Sequence, residues 1–217
     1  MDNLITNSAI EKFRAELSMD YAGTIYLLIL NRISSGYTRE ELAFLMGQDE
    51  NYIKDMEELG ISAGTLEVMA HFNWIFGGKN LTIRGFDNRS YCLFEMSIWE
   101  SQGVRNYQME HFINEVETIL FFRLIEKIPE DKPQDAEAIK VDRLATKLLL
   151  KSLLEEGYFK KYRTALQLWR CAEKYFQSGI RVNILKQELE LMVGRKGRAL
   201  LRKSKTRSFG YRYIQHK

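Results

Sequence analysis

The sequence predicts an α+β protein that is mainly helical, in which an N-terminal helical domain with a small β-hairpin insertion precedes a C-terminal domain of three helices and a closing hairpin. Three observations carry this. Residues 1–140 hold 13 Lys and Arg against 23 Asp and Glu, whereas residues 141–217 hold 19 against 6. The only two prolines, Pro129 and Pro133, stand in the acidic stretch IPEDKPQDAEAIK at that charge switch. Proline lacks an amide donor and disfavours helix in the residue before it, so the stretch reads as an interruption between packed units. Finally, aromatic and β-branched runs after Gly77-Gly78 read as strands, and near the end of the second domain the hydrophobic period changes from helical to two. The division expected is 1–128, a linker at 129–140, and 141–217.

Composition excludes several classes. With 217 residues, 45% hydrophobic and 28% charged, the chain has enough apolar surface for a sizeable core. The longest apolar run, Ile25 to Leu30, is six residues, against the ~20 that cross a bilayer. No basic-then-apolar leader opens the chain, so a cytoplasmic protein with no membrane partner is expected. Cys92 and Cys171 stand 79 residues apart without a CxxC pair, which fits a reducing compartment.

In the first domain, Ile10 to Leu17 and Asp20 to Ile33 read as helices. Thr38 with Glu41 forms a capping box for the next helix, whose buried stripe is Leu42, Ala43, Leu45 and Met46. Gly47 breaks it, and Tyr52, Ile53, Met56 and Leu59 renew the period, giving a helix-turn-helix outline. The second helix of that pair carries Glu50, Lys54, Asp55, Glu57 and Glu58, four acids against one lysine. Such a face repels phosphates, so this pair is read as packing rather than DNA reading. Thr65 to Phe76 continues as helix. After Gly77-Gly78, NLTIRGF, DNRS and YCLFEMSIWES suggest a hairpin, with Val104 to Phe112 as a third strand. Glu115 to Ile128 returns to helix.

In the second domain, Val141 to Glu156 is a helix stopped by Gly157. Thr164 and Gln167 form a capping box, from which Ala165, Leu168, Trp169, Ala172 and Phe176 mark one buried face. In GIRVNILKQELELM, Val182, Leu185, Leu189 and Met192 face the core, while Asn183, Lys186, Gln187 and Glu190 form a polar stripe. The period then becomes two: ALLRKS and FGYRYI flank the basic turn Lys205 to Ser208, with Phe209, Tyr211 and Tyr213 on one face. Three helices followed by a hairpin with a cationic tip is the winged helix-turn-helix order, in which the third helix enters the major groove and the wing touches flanking backbone.

That order assigns chemistry to residues. Lys186 suits guanine and Gln187 suits adenine. Asn183 serves as a base contact or as the cap of its own helix, and Glu190 accepts from cytosine or, preferably, neutralises Lys186 one turn away. Arg181, Arg195, Lys196, Arg198, Lys203, Lys205 and Arg207 suit phosphates. Catalytic and metal signatures are missing: His71, His111 and His216 are dispersed, and Gly77-Gly78-Lys79-Asn80 lacks the spacing of a phosphate loop. Neither an enzyme nor a cofactor is expected.

The runs YFKKYRTALQLW, GIRVNILKQELELM and GRALLRKSKTRSFGYRYI resemble the RteC family, regulators associated with tetracycline-responsive excision of Bacteroides conjugative transposons. The resemblance extends over the chain and implies a transcriptional activator of excision genes that binds double-stranded promoter DNA. RNA polymerase, another regulator or a second copy is then the expected partner of the acidic domain. The rival expectation is a protein-interaction adaptor on the same fold.

Overall fold

The computed structural model describes residues 9–60, 65–76, 91–128, 136–176, 180–194, 199–206 and 210–216. The chain separates into two compact units, one made of residues 1–38 and 52–132, the other of 39–51 and 133–217. The elements in order are β1 (Glu11–Ser18), α1 (Met19–Ser34), α2 (Arg39–Leu45), α3 (Tyr52–Glu57), α4 (Thr65–Phe76), β2 (Tyr91–Ser101), β3 (Val104–Phe112) and β4 (Thr118–Lys127). They continue as α5 (Ala136–Glu155), a 3₁₀ turn (Tyr158–Lys160), β5 (Arg163–Thr164), α6 (Ala165–Phe176), α7 (Val182–Leu191), β6 (Leu201–Thr206) and β7 (Gly210–Gln215).

The mainly helical expectation is corrected to a mixed α+β architecture with two antiparallel sheets. In the first unit the sheet has four strands in the order β1-β2-β3-β4, where a small insertion was expected. Two segments read as helix are strands. In β1, Phe13, Ala15 and Leu17 alternate with Lys12, Arg14 and Glu16, and only the former set turns inward. Glu95 of β2 receives both Lys12 Nζ at 2.7 Å and Arg14 Nε at 2.6 Å, a cross-strand clamp on this edge. In β4 the alternation begins only after a bulge opposite Met109 and Glu110, beyond which Phe122 and Leu124 point to the core.

Helix α1 covers one face of that sheet. Ser18 caps it by accepting the Tyr21 amide at 3.2 Å. Ala22, Ile25 and Ile29 are buried with Phe94, Met96, Tyr107, Met109 and Phe122, and each large apolar side chain so buried contributes roughly 1.5–3 kcal/mol. At the end of α1, Arg32 is fully buried and donates to Glu57 Oε1 at 2.7 Å, to both carboxylate oxygens of Glu126 and to Tyr107 Oη at 2.9 Å. Burial by itself would weaken this guanidinium's hold on its proton, but Glu57, Glu126 and Tyr107 raise its pKa above the ordinary arginine value.

The second unit is not the self-contained winged helix-turn-helix suggested by the sequence, because α2 is built into it. Leu42, Ala43, Phe44 and Leu45 are buried, and α2 packs on α6 and α7. Helix α3 belongs to the first unit, so the helix-turn-helix outline is divided between the two units. Gly47 ends α2 with φ +67°, and the Gln48 amide reaches Ala43 O at 2.8 Å, a left-handed cap that glycine adopts without strain. Segment 39–51, grouped by charge with the acidic half, therefore brings Glu40, Glu41, Asp49 and Glu50 against the single Arg39 into the basic unit.

Helix α5 starts at Ala136, inside the stretch expected as linker; Pro129 and Pro133 lie outside the described residues. Gly157 follows it at φ +76°, as its sequence position suggests. The capping box at α6 is present: Thr164 N donates to Gln167 Oε1 at 3.1 Å and Gln167 N to Thr164 Oγ1 at 3.2 Å. On α6, Ala165, Leu166, Leu168 and Ala172 are buried, whereas Trp169 and Phe176 are only half-buried. The closing sheet has the order β5-β7-β6. Strands β2 and β3 coincide with the expected segments, but NLTIRGF, DNRS, Gly77-Gly78-Lys79-Asn80 and Phe209 fall outside the described residues.

Candidate functional site

The polar stripe of α7 forms as expected: Asn183 and Gln187 are exposed and Lys186 and Glu190 half-buried, while Val182, Ile184, Leu185 and Leu189 are buried. Met192, expected in the core, is the half-buried C-cap. Asn183 does not cap the helix. Arg181 occupies the N-cap position without a side-chain capping bond, the Asn183 side chain receives the Ile184 amide at 2.8 Å, and the Asn183 amide donates to Glu41 Oε1 of α2 at 3.2 Å. A carboxylate at the positive end of a ten-residue helix is a favourable placement.

Each described cation of the expected interface has a partner within the unit. Lys186 Nζ stands 2.8 Å from Glu50 Oε1, which corrects the expectation that Glu190 neutralises it. Glu190 instead takes Lys203 Nζ at 2.6 Å, and Lys203 also lies 4.4 Å from the centre of the Tyr211 ring. Lys205 pairs with Asp49 Oδ2, and Tyr211 Oη donates to Asp49 Oδ1 at 2.7 Å. Arg181 Nε is 3.1 Å from Asp142. Gln187 Oε1 accepts Arg143 Nη2 at 2.6 Å, and Arg143 Nε lies 3.2 Å from the buried Glu188. Arg195, Lys196, Arg198 and Arg207 fall outside the described residues.

The electrostatics follow from these contacts. Bonds from Lys205 and Tyr211 hold the Asp49 carboxyl below the usual carboxylate range, and Lys186 does the same for Glu50. Asp49 in turn raises the Tyr211 phenol, and burial followed by Glu190 raises that of Tyr213. Between α2, α7 and β7 lies a cleft of about 250 Å³, lined among others by Glu40, Phe44, Gln48, Lys186, Glu190 and Lys203. Its two lysines are each already matched, Lys186 by Glu50 and Lys203 by Glu190.

Sequence reasoning found the stripe and the hairpin but missed Glu41, Asp49, Glu50 and Arg143, the residues that engage them. Nothing in the local pattern of 39–51 points to a helix more than 130 residues further along the chain. The histidines are dispersed here too: His71 meets the Trp74 ring edge-on, His111 lies beside Phe94, and His216 Nε2 is 3.1 Å from Gly194 O. Among the described residues no group of three or more His, Cys, Asp or Glu could hold a metal ion, and no helix is long and apolar enough to cross a membrane. Compared with known proteins, the chain matches no family model, no curated protein and no solved structure.

Proposed function

We propose that this protein is a DNA-binding transcriptional activator of mobile-element excision genes, as the RteC resemblance implies, with α7 and the β6-β7 hairpin meeting duplex DNA. The observation that carries the reading is the excess of 21 Lys and Arg over 12 acids in the second unit, residues 39–51 and 133–217, around a helix whose polar stripe faces outward. Such a density of cations beside an exposed helix suits a polyanion. On this reading Lys186, Gln187 and Asn183 meet base edges, and Arg181, Lys203 and Lys205 meet phosphates. The negative first unit, 11 Lys and Arg against 17 acids, is left to contact RNA polymerase or another regulator.

One observation favours a second reading. Arg181, Lys186, Lys203 and Lys205 all have acidic partners within their own unit, which suits a protein-interaction adaptor as well as a DNA reader. Selection of preferred duplexes from a random pool by the full chain, followed by gel shift against scrambled duplex, separates the two. A recovered consensus bound in preference to scrambled DNA supports the activator. Equal or absent binding supports the adaptor.

A further inference from the structure

We infer that Asp49 and Glu50 are a built-in phosphate mimic that occupies Lys186 and Lys205 until a DNA backbone displaces it. The inference rests on the DNA-binding reading above and adds its regulation. Three acids of segment 39–51 reach the proposed face: Glu50 takes Lys186 of the α7 stripe, Asp49 takes Lys205 of the hairpin, and Glu41 accepts the Asn183 amide at the start of α7. On a duplex of random sequence phosphate oxygens would take the places of these carboxylate oxygens, whereas on a preferred site Lys186 turns to a base edge.

The backbone that carries these acids is fixed, while the acids themselves are free to turn away. Leu42, Ala43, Leu45 and Met46 are buried, and the Gly47 carbonyl accepts the Tyr211 amide at 2.6 Å. Gly210 touches the same carbonyl so closely that a Cβ there would lie 2.0 Å from it. By contrast the Asp49 and Glu50 side chains are 60% and 66% exposed. Solvent-exposed ion pairs of this kind are individually weak and screened by salt, so a polyanion can exchange for them without α2 leaving its place. The exchange penalises any duplex that offers phosphates alone and spares one that also gains base contacts along α7. The device thus suppresses nonspecific binding.

The test compares the full chain with D49N/E50Q by anisotropy on a labelled random-sequence duplex across a salt series. The variant is expected to bind several-fold tighter at low salt, with a log-log salt slope steeper by up to about two, close to one unit for each cation no longer matched internally. In a K186A/K205A background the same two substitutions should give no gain. Equal affinity and slope for the full chain and D49N/E50Q would overturn the mimic while leaving DNA binding standing. A gain that persists without the two lysines would overturn it in favour of general charge repulsion. No duplex binding by either protein at low salt would overturn both the mimic and the reading on which it rests. Should D49N/E50Q melt early, E50Q alone, which leaves the Asp49 bond to Tyr211 intact, is read the same way with about one unit of slope.

Discussion

Glu50 and Lys186 are 136 residues apart in the chain and 2.8 Å apart in space. That pair, with its neighbour Asp49 and Lys205, ties segment 39–51 to the helix and hairpin of the basic unit. A first prediction follows for the two surfaces. Gln187→Ala should cost about 1–3 kcal/mol on a preferred site and little on random duplex, since it meets a base, whereas Lys186→Ala should weaken both, because Lys186 meets a base on the former and phosphate on the latter. Lys205→Ala should weaken both alike, since it meets phosphate. Isotherms of the three variants on both duplexes check it, and the opposite pattern would make the hairpin the reading element.

The second prediction concerns where α2 belongs. Leu42 is fully buried within the second unit, so Leu42→Ala should cost about 2–5 kcal/mol. Hydrogen exchange of the variant should accelerate in α6 and α7 and leave β2 and β3 protected. Acceleration confined to the four-stranded sheet would contradict the assignment. For the same reason residues 141–217 alone, lacking Leu42, Ala43 and Leu45, should melt without the cooperativity of the full unit.

Much of this was legible in the sequence, and the failures have physical causes. The periods of α1, α6 and α7 were readable because each helix buries one stripe against a core. The alternation of Phe13, Ala15 and Leu17 was equally present in β1, yet the run is short enough that its apolar residues also fit a helical spacing. In β4, Ile119, Leu120, Phe121 and Phe122 form an unbroken apolar run, and the bulge hides the period of two. The site was legible only as one half of a pairing. Which face of α7 is polar is a local property, whereas the acids that meet it arrive through tertiary structure from a segment whose charge resembles the other half of the chain.

A third prediction concerns the buried Arg32. Removing it takes from the fully buried Glu57 its guanidinium partner and leaves Glu126 with the more distant Arg105 at 3.7 Å. Arg32→Met should therefore destabilise the first unit by about 3–5 kcal/mol, and replacing all three charges together, as R32M/E57L/E126L, should recover much of the loss. Chemical denaturation followed by near-ultraviolet circular dichroism measures both. A small effect of Arg32→Met would show that water reaches the cluster.

Acid should expose the same cluster. Burial tends to raise Glu126, but its bonds from Arg32 and Tyr107 prevail and leave its carboxyl below the ordinary 4.5. Bonds from Lys12, foremost, and Arg14 likewise lower Glu95. A carboxyl depressed in the folded state contributes stability that is present above its unfolded pKa and lost as pH falls through its folded one. The denaturation midpoint should thus hold steady from neutral pH to about 5 and fall below about 4.5, with a shallower fall in Glu126→Gln. An unchanged acid slope in that variant would remove Glu126 from the explanation.

The claim that α7 and the β6-β7 hairpin form the DNA-binding face is tested most directly by hydrogen exchange of the full chain with and without its selected duplex. Binding through this face predicts slower exchange in 182–191, 201–206 and 210–215, together with faster exchange in 48–51 as the duplex replaces Asp49 and Glu50. Protection confined to the four-stranded sheet, or none in these segments while the duplex is bound, would contradict it.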